Sequence, residues 1–194
     1  ADFDKAISMD PKNYDRLIEI YEALADYGYR EVGQEYLQNV LNTDKKLDAY
    51  DSGRIYYYLG DYQKAYLALE EAKGKGGVDS YLYLGKAYAA TGDYNYASSV
   101  YSNYLSKQGP DAEIYNQLGL CELAKKDYQK ALEAFQAGKQ IEGNSLMQTL
   151  SFNEIVAYEY LQDYQKAAVL LKAYLQNYPD DQAAIREQQF LSTR

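Results

Sequence analysis

The sequence predicts an all-α fold assembled from repeated helical hairpins, and three observations carry that prediction. A short segment recurs four times: Gly60-Asp61-Tyr62-Gln63-Lys64-Ala65, Gly92-Asp93-Tyr94-Asn95-Tyr96-Ala97, Lys126-Asp127-Tyr128-Gln129-Lys130-Ala131 and Gln162-Asp163-Tyr164-Gln165-Lys166-Ala167. The closing alanines are spaced 32, 34 and 36 residues apart, and a fainter copy runs from Gly28 through Tyr29 to Gly33, 32 residues before Ala65. A period of this size marks stacked units that each bury a face against the next. The residues around each segment fall at helical spacing: Tyr81, Leu84, Gly85 and Tyr88 upstream, and Ala97, Tyr101 and Leu105 downstream. Finally, the segment reads as a helix stop followed by a helix start. Glycine, or Lys126 and Gln162 in the later copies, ends one helix, and the aspartate that follows accepts orphan backbone N–H groups of the next.

Taken in order, residues 1–11 read as the back half of a second helix, Ala1 to Ile7, closed by Asp10-Pro11, with its first helix missing. Residues 12–45 form the first full unit, with Leu17, Ile20 and Tyr21 on its leading helix. Residues 46–77 carry the small pair Ser52-Gly53, then Tyr56, Gly60, Tyr62, Ala65, Leu69 and Ala72. Residues 78–110 hold the clearest pattern, and 111–144 repeat it in Tyr115, Leu118, Gly119, Tyr128, Ala131 and Phe135. In 145–180 Glu154-Ile155 stands in place of Leu-Gly, which predicts two helices standing further apart. Residues 181–194 supply one more polar helix, Ala183 to Leu191, suited to capping the last repeat.

The pattern resembles the tetratricopeptide repeat (TPR), whose period is about 34 residues and whose signature is aromatic-x-x-Leu-Gly-x-x-Tyr, then Ala-x-x-x-Phe, then Pro. The best match is Tyr81-Leu84-Gly85-Tyr88-Gly92-Tyr94-Ala97-Tyr101, and the resemblance spans nearly the whole chain as a single domain. It implies a right-handed α-α superhelical solenoid of about five full repeats. It also implies a non-enzymatic scaffold that binds a peptide or partner protein along the first-helix, concave face.

Composition narrows the chemistry. The 194 residues contain no His, no Trp and one Cys, which removes His-based acid/base and triad catalysis, His or Cys metal sites and any intrachain disulfide. No cofactor is expected. A net charge of -9 argues against a nucleic-acid partner. No apolar run reaches the length of a membrane span, so no membrane insertion by this segment is expected. Because the chain starts at Ala1 inside a repeat, an export signal or lipid anchor upstream and a surface location are expected, with a cytoplasmic location as the alternative. Cys121 sits among Leu118, Leu120 and Leu123 and reads as a small buried residue rather than a reactive thiol.

Tyrosine is the outstanding component, at 25 residues. Tyr56, Tyr88 and Tyr158 on first helices and Tyr62, Tyr94, Tyr128 and Tyr164 at the starts of second helices recur with the repeat, so they read as packing groups with the hydroxyl at the rim. Another set lies off those positions. Given the family's concave first-helix face, the groove is expected to present Asp15, Ile18 and Glu22, then Tyr50, Arg54, Tyr57 and Tyr58, then Asp79, Leu82 and Lys86. Further along it takes Glu113, Asn116 and Leu120, then Thr149, Phe152, Val156 and Tyr160.

Within it, Arg54 and Lys86 stand one repeat apart beside the tyrosines and are candidates to receive a ligand carboxylate; the competing reading pairs them with Asp51 and Asp79. Family members that hold a chaperone C-terminal carboxylate use Lys and Asn in slots filled here by Ile18, Glu22, Asp51, Asp79 and Tyr83, so that clamp is not expected. A glycan- or small-ligand-binding surface protein using exposed tyrosines is the alternative function, and self-association through the two ends stays open. The acidic pairs Glu70-Glu71 and Asp180-Asp181 read as solvated charge. The run Lys73-Gly74-Lys75-Gly76-Gly77 follows a helix and lacks the Gly-Lys-Ser/Thr ending of a phosphate loop, so it reads as a turn.

Overall fold

A computed structural model describes residues 2–73, 75 and 77–194. Gly74 and Gly76 of the glycine-rich run, and Ala1, lie outside the described residues. The described chain is helical throughout and divides into two compact units, 1–91 and 92–194. The first holds α1 (Asp2–Met9), α2 (Tyr14–Asp26), α3 (Arg30–Thr43), α4 (Ala49–Tyr58), α5 (Tyr62–Ala72) and α6 (Gly77–Ala90). The second holds α7 (Tyr94–Lys107), α8 (Ala112–Ala124), α9 (Tyr128–Lys139), α10 (Met147–Tyr160), α11 (Tyr164–Asn177) and α12 (Gln182–Leu191).

The recurring hexapeptide acts as a hinge through its hydrogen bonds. After α4, Gly60 takes φ +80° and the amides of Gly60 and Asp61 donate to the carbonyls of Tyr57 and Tyr56. This crossed pair of bonds closes a helix with one left-handed residue, which glycine adopts without steric cost. The Asp61 carboxylate then accepts from the Lys64 amide and starts α5. The same arrangement recurs at Lys126-Asp127 and Gln162-Asp163, where non-glycine residues hold φ 65° and 62°.

Within the first unit, α2 packs on α3, and α4 packs on α5 and α6. Leu17, Ile18, Tyr21, Leu37, Val40 and Ile55 form one core cluster there. Each such side chain removed from water stabilises the fold by roughly 1.5–3 kcal/mol before the entropy of ordering it is counted. In the second unit, α8 packs on α9 and α9 on α10. Ala131, Leu132, Phe135, Leu150 and Ala157 fill the space between them. Gly119 permits the α8–α9 contact, because a Cβ at that position would lie 2.3 Å from Cε1 of Phe135.

The Leu-Gly slot of α10 has its own solution. Glu154 is buried there and accepts from Lys139 Nζ at 2.6 Å and from Gln136 Nε2 at 2.8 Å, both on α9. Cys121 is buried, and burial followed by the nearby Glu122 charge pushes its thiol up to about 12. Among the described residues no helix is long and apolar enough to cross a membrane.

The tyrosines most closed to solvent are Tyr101, Tyr21, Tyr174 and Tyr81. The seven that recur with the repeat are half-buried. They stand near hairpin ends, where rings stack in pairs, such as Tyr66 on Tyr88 at 4.6 Å and Tyr128 on Tyr160 at 4.9 Å.

Candidate functional site

The residues of interest in the first unit come from α2, α4 and α6. Helical spacing places Asp15 and Glu22 on one strip of α2, Tyr50, Arg54 and Tyr57 on one strip of α4, and Asp79, Tyr83 and Lys86 on one strip of α6. Packing then sorts each strip into covered and open positions.

Arg54 is covered. It is 7% exposed, its Nη1 donates to Asp15 Oδ1 at 2.5 Å, and its Nη2 donates to Asp51 Oδ1 at 2.5 Å. Its guanidinium carbon lies 4.4 Å from the Tyr50 ring centre. Burial opposes the charge, yet the hydrogen bonds donated to the two carboxylates outweigh it and hold the guanidinium above its ordinary value. Arg54 is therefore a cross-link between α2 and α4, already bonded to two carboxylates of its own chain. The sequence reading offered it to a ligand; Asp51, three residues away, was visible as a partner, and Asp15, thirty-nine residues away, was not.

Other expected groove residues are also enclosed. Ile18 is 4%, Leu82 9% and Asn116 5% exposed. A helix flanked on both sides by others buries a broad stripe and leaves only a narrow strip open. In the second unit, Asn116 accepts from Asn153 Nδ2 at 2.9 Å, tying α8 to α10, and Phe152 packs on Tyr174 at 5.7 Å. Tyr160 stays exposed while its ring stacks on Tyr128. Lys86 is half-buried with its Nζ 5.8 Å from the Tyr83 ring centre.

What α2, α4 and α6 do bring together is a cluster of tyrosines. Tyr57 lies 5.4 Å from Tyr58, 5.6 Å from Tyr83 and 5.7 Å from Tyr62, and Tyr58 lies 5.4 Å from Tyr21 and 5.9 Å from Tyr83. The edge-to-face contacts among these, Tyr21–Tyr58, Tyr57–Tyr58 and Tyr57–Tyr83, add about 0.5–1.5 kcal/mol each beyond area burial. The hydroxyls are ordered as well. Tyr58 donates to Glu22 Oε1 at 2.6 Å, so its single proton is committed, and the 3.0 Å contact with the Tyr83 hydroxyl makes Tyr83 the donor there. Burial first, then the Glu22 hydrogen bond, raises the Tyr58 phenol; burial raises Tyr57 and Tyr83 and takes Tyr50 up to about 12. These phenols are neutral near pH 7 and serve as donors and ring surfaces.

The cluster opens on a cleft of about 430 Å³ lined by Tyr21, Tyr57, Tyr58 and Tyr62 together with Glu22, Ala25, Asp26 and Arg30. Arg30 Nη1 donates to the Tyr21 hydroxyl at 3.4 Å. A neighbouring hollow of about 490 Å³ is bounded by Tyr50 and Arg54 and by four aspartates, Asp10, Asp15, Asp51 and Asp79. A larger hollow of about 590 Å³ reaches from α3 to α5, but Glu31, Gln34, Glu35 and Gln38 dominate it and no ring cluster lines it. Sequence reasoning found Tyr57 and Tyr58 and missed Tyr21, Tyr62 and Tyr83 as their neighbours. The one available signal was Tyr83 standing on the same strip as Asp79 and Lys86. Among the described residues, no group of three or more His, Cys, Asp or Glu could hold a metal ion.

The fold has counterparts among known proteins. The family model described as tetratricopeptide repeat matches residues 82–145, and a second model of the same description matches 152–181. Comparison with curated protein sequences finds no match. Among solved structures, YrrB, a TPR protein with an unusual peptide-binding site, is 21% identical with a TM-score of 0.62 over 96% of this chain and 97% of its own. TTC0263, a thermophilic TPR protein of Thermus thermophilus, is 15% identical with a TM-score of 0.70 over 93% of this chain and 100% of its own. The second TPR domain of human RPAP3, in complex with the HSP70 peptide SGPTIEEVD, is 16% identical with a TM-score of 0.51 over 57% of this chain and 90% of its own. With the repeat matched in both stretches, and a described chain that is helical throughout and shares the fold of these proteins, the chain is a tetratricopeptide repeat protein.

Proposed function

We propose that this protein is a non-catalytic interaction scaffold and that the tyrosine cleft between α2 and α4 docks a peptide segment of a partner protein. The observation that carries the reading is the Tyr57–Tyr58–Tyr83 cluster, whose rings are held by one another and in which the Tyr58 and Tyr83 hydroxyls are already oriented. Rigid tyrosines give large contact area at low entropic cost, which makes them frequent anchors of protein interfaces. YrrB and the RPAP3 domain, which share the fold, have a peptide-binding site and a bound peptide respectively, which supports a peptide as ligand class.

The ligand is not expected to be an acidic tail of the SGPTIEEVD kind. Glu22 and Asp79 are exposed carboxylates on the first-helix strips, and the nearby Arg54 charge is balanced by Asp15 and Asp51. Tyr50 and Lys86 extend the proposed surface, whereas Arg54 and Leu82 are buried and support the helices that carry it.

The test is selection of a random dodecapeptide display library on the wild-type protein, followed by calorimetric titration of the enriched peptides into wild type and Tyr57→Leu. The leucine keeps bulk and removes the ring, and circular dichroism checks that the helices persist. Binding at least about tenfold weaker to Tyr57→Leu is expected, in line with loss of one anchor. Equal binding, or a selection without enrichment, removes the reading.

A further inference from the structure

The docking cleft carries a charge as well as an aromatic wall. We infer that it receives a cationic side chain, Lys or Arg, of the docked peptide, an inference that rests on the peptide-docking reading above. Three observations carry it, the first two on α2 and α4.

First, the fold already contains the recognition pattern once. At Arg54 a guanidinium lies 4.4 Å from a tyrosine ring centre and donates to two carboxylates at 2.5 Å. Such a group gains from the electron-rich ring face and from charge-assisted hydrogen bonds together.

Second, the next cross-link between α2 and α4 lacks its cation. Glu22 stands seven residues after Asp15 on α2, and Tyr58 stands four after Arg54 on α4, so each pair lies on one face of its helix. Where Asp15 meets a guanidinium, Glu22 meets the neutral Tyr58 hydroxyl at 2.6 Å. Among the described residues neither Glu22 nor Asp26 forms an ion pair, and both are exposed. Tyrosine rings and carboxylates are both in place around the 430 Å³ cleft.

Third, the surroundings reinforce the sign. Arg30, which also lines the cleft, is outnumbered by Glu22 and Asp26, and the adjoining hollow sets four aspartates against Lys12 and Arg54. Acidic surroundings of this kind speed the approach of a basic segment and repel an acidic one.

The experiment uses the peptides enriched on the wild-type protein. Each is resynthesised with its Lys changed to norleucine or its Arg to citrulline, which removes charge and keeps length. Both forms are titrated into wild type, into the double variant Glu22→Gln/Asp26→Asn, and into the remote control Glu142→Gln. Glutamine at 22 keeps an acceptor for Tyr58, and circular dichroism confirms the fold. Expected are a Lys or Arg in the enriched sequences and about tenfold weaker binding when either the peptide charge or the two carboxylates are removed. No further loss is expected when both are removed, and no change with Glu142→Gln. Peptides that depend on the Tyr57 ring but bind the double variant as tightly as wild type, or that carry no cation, overturn the cationic assignment and leave the docking site standing. If no enriched peptide depends on the Tyr57 ring, both fall.

Discussion

Arg54 Nη1 on α4 lies 2.5 Å from the Asp15 carboxylate on α2, so an arginine that is 7% exposed ties together two helices that are not consecutive in the chain. Its Nη2 donates to Asp51, whose carboxyl stays above its ordinary value because burial outweighs the Arg54 hydrogen bond. Removing the guanidinium leaves Asp51 enclosed without its cation. Loss of one partner from a buried pair costs about 3–5 kcal/mol, but the Asp15 side chain is 76% exposed and water screens its share. Arg54→Met is therefore expected to lower stability in urea by about 2 kcal/mol, and Asp51→Asn in the same chain is expected to return about half of that. A loss below about 0.5 kcal/mol would show that the cross-link is incidental. It follows that charge reversal at Arg54 tests folding before it tests ligand binding.

The α8–α9 contact predicts a steric penalty. A methyl at position 119 would meet the Phe135 ring at 2.3–2.7 Å, and that ring is fully buried. Forcing a methyl into a filled core costs about 1–3 kcal/mol. Gly119→Ala is expected at the upper end, measured by thermal or urea unfolding. The pair Gly119→Ala/Phe135→Leu is expected to lose less than the sum of the single changes. Strict additivity would place the strain elsewhere.

The repeat was legible because helix stops, caps and apolar spacing are local properties, written within a few residues of one another. The Gly60-Asp61 hinge and the Lys126 and Gln162 variants of it could be read from the hexapeptide alone. Side-chain neighbours across α2, α4 and α6 could not. Tyr57 and Tyr58 were found because they are adjacent in sequence, whereas Tyr21 and Tyr83 join them only through packing. Arg54 was misplaced for the same reason: a cation in an acidic chain looks available until a carboxylate thirty-nine residues away is brought against it. Glu154 stands where the repeat pattern has Leu, and Lys139 on the preceding helix explains how it is held buried.

The two non-glycine hinges make a gain-of-stability prediction. Lys126 and Gln162 hold φ 65° and 62°, where an L side chain costs roughly 1 kcal/mol and glycine does not. Both side chains are exposed, so little packing is lost on removing them. Glycine also loosens the unfolded chain, which offsets part of the gain. Lys126→Gly and Gln162→Gly are each expected to raise stability by about 0.5 kcal/mol, read from urea midpoints. A lower midpoint in both would mean that the side chains contribute contacts beyond the backbone.

The carboxylate of Glu159 on α10 sets a pH dependence. Its Oε1 is buried without a hydrogen-bond partner. Burial first, then the charge of Glu187 on α12 and a hydrogen bond with it, raises the Glu159 carboxyl from 4.5 to about 7. A carboxyl raised on folding binds its proton more tightly in the native state, so between 4.5 and about 7 the native chain carries the extra proton. Stability is then lost as pH climbs through that window, the reverse of an acid whose folded value is depressed. The group is half-exposed, so solvent screening reduces the effect to about 1 kcal/mol. Glu159→Gln removes the titration while keeping the shape. It is expected to match wild type near pH 4.5 and to exceed it in urea resistance by about 1 kcal/mol at pH 8. Parallel stability profiles for the two proteins across that range would show that the Glu159–Glu187 contact does not strain the C-terminal helix.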